Sequence, residues 1–394
     1  MPTEYPVPSD IQRLQRPALL GGAVLFVACL VGGYFSPAQF FHSYLIAYIL
    51  VLNIAIGCMA VTMVQHLTGG NWGVITRRLL EAGSRTMPLL ALLFIPIIFG
   101  IHSLYSWSNP AVVASDHFVR DKAAYLNEPF FIVRAVIYFI VWWSIAHFLN
   151  KWSLEQDRTG DPAISRKLQR LSGGGLVLYG ITITFAVTDW LMSLQPHWYS
   201  TIFGMIFMAG EGLSAFSFVI AILCWLARRE PLQSILSSRQ MIDLGNLMLA
   251  FVILWTYTSF SQFLLIWAGN LPEEIVFYVP RFKHGWQVIG VFLVLFHFAV
   301  PFLLLLHRSI KGRVARIGAV AMALVAARWL DIYWMVAPSI HKSLYLSWMD
   351  VAAPLALGGL WLATWAWQLQ GRPLLPLRDP LLAQALRYGH EHSH

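Results

Sequence analysis

Charge is what this 394-residue sequence lacks. Asp, Glu, Lys and Arg make up only 12% of it, while 58% is apolar. An average soluble domain carries ~25% charged residues and ~45–50% apolar ones. The imbalance excludes a soluble globular enzyme and a disordered chain. Cysteine is almost missing too. Cys29, Cys58 and Cys224 stand singly inside apolar runs. With no C-x-x-C, neither an iron–sulfur cluster nor a structural zinc has its ligand spacing, and no disulfide scaffold is possible. The three read as small buried thiols. The glycine-rich stretch Thr68-Gly69-Gly70-Asn71-Trp72-Gly73 has no G-K-[ST], so it reads as a turn and not a phosphate loop.

Long apolar runs are what is present. Ten of them approach the ~20 residues that a bilayer core requires. They are predicted at 17–35, 38–64, 86–107, 129–150, 171–195, 200–227, 243–268, 285–306, 314–337 and 347–369. The fold class is therefore an all-α polytopic membrane protein. No A-x-A pattern follows the first run, so it is expected to remain as a helix after the tail 1–16.

The sparse cations are sorted. Of 27 Lys and Arg, 20 fall on the side of the N-terminus. Arg120, Lys122, Arg281, Lys283 and Lys342 fall on the other, and Arg134 and Arg328 lie inside spans. This bias predicts that both termini are cytoplasmic. It also explains the net charge of +8, as residues that orient the chain and meet anionic lipid heads. With no basic domain outside the membrane, nucleic-acid binding is not expected.

The loops repeat. Amphipathic cytoplasmic stretches follow spans two and six, at 65–85 and 228–242. Long outer loops with acid and base follow spans three and seven, at 108–128 and 269–284. An even number of spans separates the copies. Two parallel four-helix bundles are expected, over 38–195 and 196–342, with spans 1 and 10 flanking and a cytoplasmic tail at 370–394.

Ionisable groups at membrane depth are expensive and mark functional candidates. Arg328 and Asp331 are spaced i, i+3 and can pair on one helix face. Such a pair can pin helix packing or serve proton transfer. Glu211 falls near mid-bilayer as an isolated acid, and Gly210 and Gly212 beside it leave room for water or another backbone. Asp189 and His197 flank one tight outer turn and could pass a proton to the outer solvent, or simply satisfy the interface. His42 and His102 fall in the outer parts of their spans, with His297 and Asn53 nearer mid-span. Thr258, Ser261 and Gln262 share a face and can carry protons with water or act as interhelical hydrogen-bond glue. Arg134 and Asp350, near outer helix ends, are expected to snorkel. A pair such as His42–His102 could hold a haem, although no spacing demands it. The tail Gly389-His390-Glu391-His392-Ser393-His394 could chelate a metal loosely, or be a solvated end.

Several runs carry a resemblance: His42-Ser43-Tyr44-Leu45, His66 to Gly70, Phe99 to Tyr105, Lys122 to Asn127, Asp189 to Phe203, and Trp255 to Gly269 followed by Pro280-Arg281. They resemble the smaller NrfD-like integral membrane subunit of bacterial alternative complex III. The resemblance spans nearly the whole chain. It implies two four-helix bundles with two flanking helices. It also implies a bacterial inner-membrane complex that oxidises menaquinol or ubiquinol and reduces cytochrome c or another periplasmic acceptor. The implied partners are a larger NrfD-like sister subunit, an iron–sulfur/molybdopterin-like subunit, haem c subunits and a terminal oxidase in a supercomplex. The sister is the better candidate for the quinol site. This chain would anchor the periplasmic redox subunits and offer a proton pathway through Asp189, His197, Glu211, Arg328 and Asp331. It would carry out no redox chemistry alone and would bind no covalent cofactor and no metal, with a quinone (menaquinone) or lipid as the remaining ligand. The competing readings are a stand-alone secondary transporter and a haem-b membrane anchor.

Overall fold

The computed structural model describes residues 5–390; residues 1–4 and 391–394 lie outside it, so the metal-chelating reading of the tail does too. Ten helices are long and apolar enough to cross a membrane. We label them α1 (Ser9–Phe35), α2 (Pro37–Thr68), α3 (Asn71–Phe99), α4 (Glu128–Thr159), α5 (Pro162–Trp190), α6 (Phe203–Leu226), α7 (Ser238–Gly269), α8 (Trp286–Leu306), α9 (Val314–Val336) and α10 (Trp348–Leu369). There are no strands among the described residues. The chain is an all-α multi-pass membrane protein.

The helix pairings repeat. α2 packs on α3 and α5, and α4 on α3 and α5. In the second ring α6 packs on α7 and α9, and α8 on α7 and α9. The rings meet where α2 touches α6 and α9, and where α5 touches α6. α1 and α10 pack mainly on each other, and α10 seals them onto α2.

Which helices lie inside follows from composition. α2 and α6 are apolar around their whole circumference, and such helices have no face to offer water. They form the buried centre, while α1 shows Leu20, Val24, Val27 and Val31 outward to lipid. The central crossing is close because Gly57 of α2 lies on the backbone of α6. A Cβ at Gly57 would stand 2.0 Å from the Glu211 carbonyl oxygen. A backbone oxygen cannot swing aside, so Gly57→Ala should lower thermal stability by about 1–3 kcal/mol of overpacking. Gly174→Ala, whose added carbon meets nothing within 4 Å, should leave it unchanged. Equal unfolding temperatures for both variants would contradict this packing.

Several helices outrun their predicted limits. α2 and α4 have 32 residues each, and α4 and α5 meet at a turn through Gly160 with φ +67°. At ~1.5 Å per residue they are about 48 Å long, more than a ~30 Å hydrocarbon core. The extensions carry polar residues, which hydropathy discounts.

The largest departure is α3. The sequence predicts an amphipathic surface loop for its first part, Asn71–Ser84. It is instead a helix whose residues Gly73 to Ser84 are all buried. Gly69 and Gly70, both at positive φ, form the turn into it, as the glycine-rich stretch predicted. The helix pauses at Arg85–Thr86 and resumes at Met87–Phe99, ending well before the predicted residue 107. The chain beyond α10 folds back over this side, where a short helix, Leu382–His390, covers the first part of α3. The Leu374 N–H bonds the Tyr5 carbonyl at 2.8 Å, so the two described chain ends lie on one side, as ten crossings require.

Candidate functional site

A polar cluster sits at the seam between the two helix rings. Asn53 comes from α2, Tyr179 from α5, Glu211 from α6, Trp255 from α7, His297 from α8, and Arg328 and Asp331 from α9. Every one is buried, and Glu211 and His297 have 0% exposure.

Arg328 is the hub. Its Nη1 donates to Asp331 Oδ2, one helical turn away, as the i, i+3 spacing predicted. Its Nη2 donates to Asn53 Oδ1 of the other ring at 3.0 Å. The Phe207 ring lies 5.2 Å from the guanidinium carbon. Gly210 makes this possible, since a Cβ there would fall 2.4 Å from Arg328 Cζ. The space beside Glu211 is therefore taken by a guanidinium at Gly210 and by the Phe251 ring at Gly212. Glu211 is not isolated either. Tyr179 Oη donates to its Oε2.

Four polar atoms of the cluster have no hydrogen-bond partner among the described residues: Glu211 Oε1, Arg328 Nε and both ring nitrogens of His297. An orphaned buried polar atom costs ~1–3 kcal/mol, and natural structures keep few of them. Four at one seam are groups that a water chain or a moving proton would satisfy. His297 stands edge-on to Trp255, ring centres 4.0 Å apart, on a widened π-helical turn spanning Val294–Ala299. Pro301, four residues on, has no N–H for the His297 carbonyl and its ring crowds that carbonyl. Such wide turns recur at functional sites.

Asp189 belongs to a separate pair. Arg134 of α4 grips it with two hydrogen bonds, Nε to Oδ2 at 2.8 Å and Nη2 to Oδ1 at 2.9 Å. Tyr138 Oη adds a third at 2.7 Å, and Arg134 Nη1 donates to the Tyr125 carbonyl at 2.9 Å. Arg134 therefore does not snorkel. The cost of leaving Asp189 unpaired outweighs the gain from hydration at the helix end. His197 is not with Asp189. It is half-exposed and pairs with Asp116 of the loop 108–128, Nε2 to Oδ2 at 2.8 Å. Slight desolvation works against Asp116, but the Val119 and Phe118 N–H groups and the His197 ring hold its carboxyl below the usual range.

Asp350 does not snorkel either. It is 2% exposed and caps its own helix, accepting the Ser347 N–H at 2.8 Å. It also accepts from Ser43 Oγ at 2.6 Å and Gln39 Nε2 at 3.1 Å. His42 is buried on α2, whereas His102 lies past the end of α3, mostly exposed, 3.5 Å from Glu128. Within α7 the expected face divides. Thr258 bonds its own helix at the Leu254 and Trp255 carbonyls, while Gln262 ties Ser200 Oγ at 2.8 Å and Tyr278 Oη at 3.2 Å. Ser261, half-buried, joins neither set of bonds. Arg281 is buried and donates to the carbonyls of Phe277, Trp334 and Met335, fastening the loop 269–284 to the end of α9. Burial pushes its guanidinium down to about 9, so it stays charged at neutral pH.

One cluster goes unread in the sequence analysis, although Arg78 and Glu81 have the i, i+3 spacing of a helical pair. Arg77, Arg78 and Arg85 are expected from sequence to meet lipid heads, but Arg77 and Arg78 are buried and Arg85 is half-buried. Arg78 pairs with Glu81 at 2.5 Å and with Asp157 of α4. Ser153 Oγ donates to Glu81 Oε1 at 2.5 Å. Arg77 pairs with Asp379 of the folded-back chain at 2.5 Å, and Arg85 Nη1 donates to Asn150 at 2.9 Å. The partners lie from 3 to 302 residues away, and α4 and the folded-back chain bring the distant ones to α3.

Among the described residues, no three His, Cys, Asp or Glu side chains come together to hold a metal. Comparison with models of known protein families and with curated proteins finds no match.

Proposed function

We propose that this chain is a proton-conducting membrane subunit of a quinol-oxidising respiratory complex of the alternative complex III kind. The reading puts it in a bacterial inner membrane, with its arginine-rich side in the cytoplasm. One observation carries it: Glu211, Tyr179, Arg328, Asp331 and His297 are buried together between two helix rings, with polar atoms left unpaired. An acid kept at that depth without full pairing is costly for a purely packing role. Its two oxygens differ, one bonded by Tyr179 and one without a partner among the described residues, which suits a group that takes and gives a proton.

The resemblance supplies the complex. In this reading the sister subunit oxidises quinol, periplasmic iron–sulfur and haem c chains carry the electrons, and the outer loops 108–128 and 269–284 face those chains. Asp189 becomes a structural acid, because both its oxygens are bonded to Arg134.

Purification under mild detergent from the source membranes tests the assignment. The tagged chain should bring multihaem and iron–sulfur subunits with it, and the complex should oxidise quinol. A chain that purifies alone and moves a solute down an ion gradient is a transporter, and the proposal fails. A Soret band from the isolated chain makes it a haem-b anchor, with the same consequence.

A further inference from the structure

A second site lies away from the seam, on the side opposite Tyr5. A groove of about 980 Å³ opens between α1, the start of α2 and the loop 341–347 that leads into α10. Its outer wall is apolar and faces lipid: Val31 is 56% exposed and Phe35 79%. Tyr345 and Trp348 stand at its mouth, both more than half exposed, as aromatic side chains do at headgroup depth.

The floor is polar and built. His341 Nε2 meets Gln39 Oε1 at 3.0 Å, and Gln39, itself 9% exposed, bonds Ser43 Oγ at 3.0 Å. Behind them Asp350 is occupied by Ser43, Gln39 and the Ser347 N–H, so its charge is turned away from the groove. Lys342 is exposed on the rim, with no hydrogen bond or ion pair to any described residue. Cations are few on this side of the chain, and Arg281 is committed to carbonyls. An unpaired ammonium above an apolar wall at membrane-interface depth fits one kind of occupant: a headgroup with negative charge attached to an acyl chain. A zwitterionic headgroup offers the same phosphate, but its own cation competes with the ammonium for it, so a headgroup of net negative charge is preferred.

We propose that this groove binds an anionic glycerophospholipid, its phosphate against Lys342 and His341 and its acyl chain along Ala28, Val31 and Phe35. The site shares no residue with the charged seam, so its failure leaves the proton reading intact.

Native mass spectrometry of the delipidated full chain tests this, with phosphatidylglycerol and phosphatidylcholine of identical acyl chains as probes. Wild type should retain one phosphatidylglycerol about fivefold more strongly than phosphatidylcholine, the size of one interfacial lysine's attraction. Lys342→Gln should remove the preference. Ala28→Trp, which fills the apolar wall, should weaken retention of both lipids. Equal retention of the two lipids by wild type overturns the proposal. So does a preference that survives Lys342→Gln, or retention that Ala28→Trp leaves unchanged. Displacement of the bound lipid by millimolar inorganic phosphate would mark a free-anion site instead, and would overturn it as well.

Discussion

Arg328→Met should destabilise the chain more than any other single change at the seam, by about 3–5 kcal/mol. The substitution keeps an unbranched stem about as long as arginine's aliphatic part but removes three things at once. Asp331 loses its paired cation, Asn53 Oδ1 loses its donor, and the cleft beside Gly210 loses the planar group that fills it. A buried carboxylate left without its cation is the main cost. Replacing both members of a buried pair with apolar residues is often close to neutral. Arg328→Met combined with Asp331→Leu should therefore recover much of the lost stability. Thermal unfolding of the detergent-solubilised chain reads both. A single variant as stable as wild type would show that the pair does not hold the two rings together.

Glu211→Gln should do the opposite, preserving the fold and stopping the protons. Glutamine is isosteric, and its carbonyl oxygen can still accept from Tyr179 Oη. It cannot bind a proton at neutral pH. Removing a positioned acid–base group typically costs ~10²–10⁴-fold. At least a ~tenfold loss of proton transfer is expected where this residue limits the route. The complex in sealed vesicles with an internal pH dye gives protons moved per electron, and acceptor reduction gives the electron rate separately. Protons per electron should fall while assembly and the yield of purified complex stay as in wild type. Unchanged stoichiometry removes Glu211 from the route. Asp189→Asn is expected to behave differently. It leaves Arg134 uncompensated, so it should damage stability before it affects proton movement.

These contrasts follow the line between what was readable and what was not. Arg328 and Asp331 were legible as a pair because they are one helical turn apart on one element. Arg134 and Asp189 were not, because 55 residues and a change of helix separate them. A lone charge near a helix end reads as snorkelling until a partner on another helix is known. Tyr179 gave no signal at all, since a tyrosine in an apolar span looks like any aromatic packing residue. His297 carried a trace of one in Pro301, four positions on, which forces the turn to widen. The first part of α3 misled for a physical reason. Its arginines make it amphipathic, which normally means one wet face, but here the face is covered by α4 and the returning chain, which supply Asp157 and Asp379.

By itself the sequence determined the solvent and the count: ten apolar runs too long for anything but a bilayer, and polar residues too few to cover a soluble surface. Those are local properties, since each span closes its own backbone hydrogen bonds and carries its own transfer free energy. Tertiary structure alone decided which buried charge meets which. A charge at depth must find an opposite partner, and the choice among several within reach is made by how helices distant in sequence come to lie side by side.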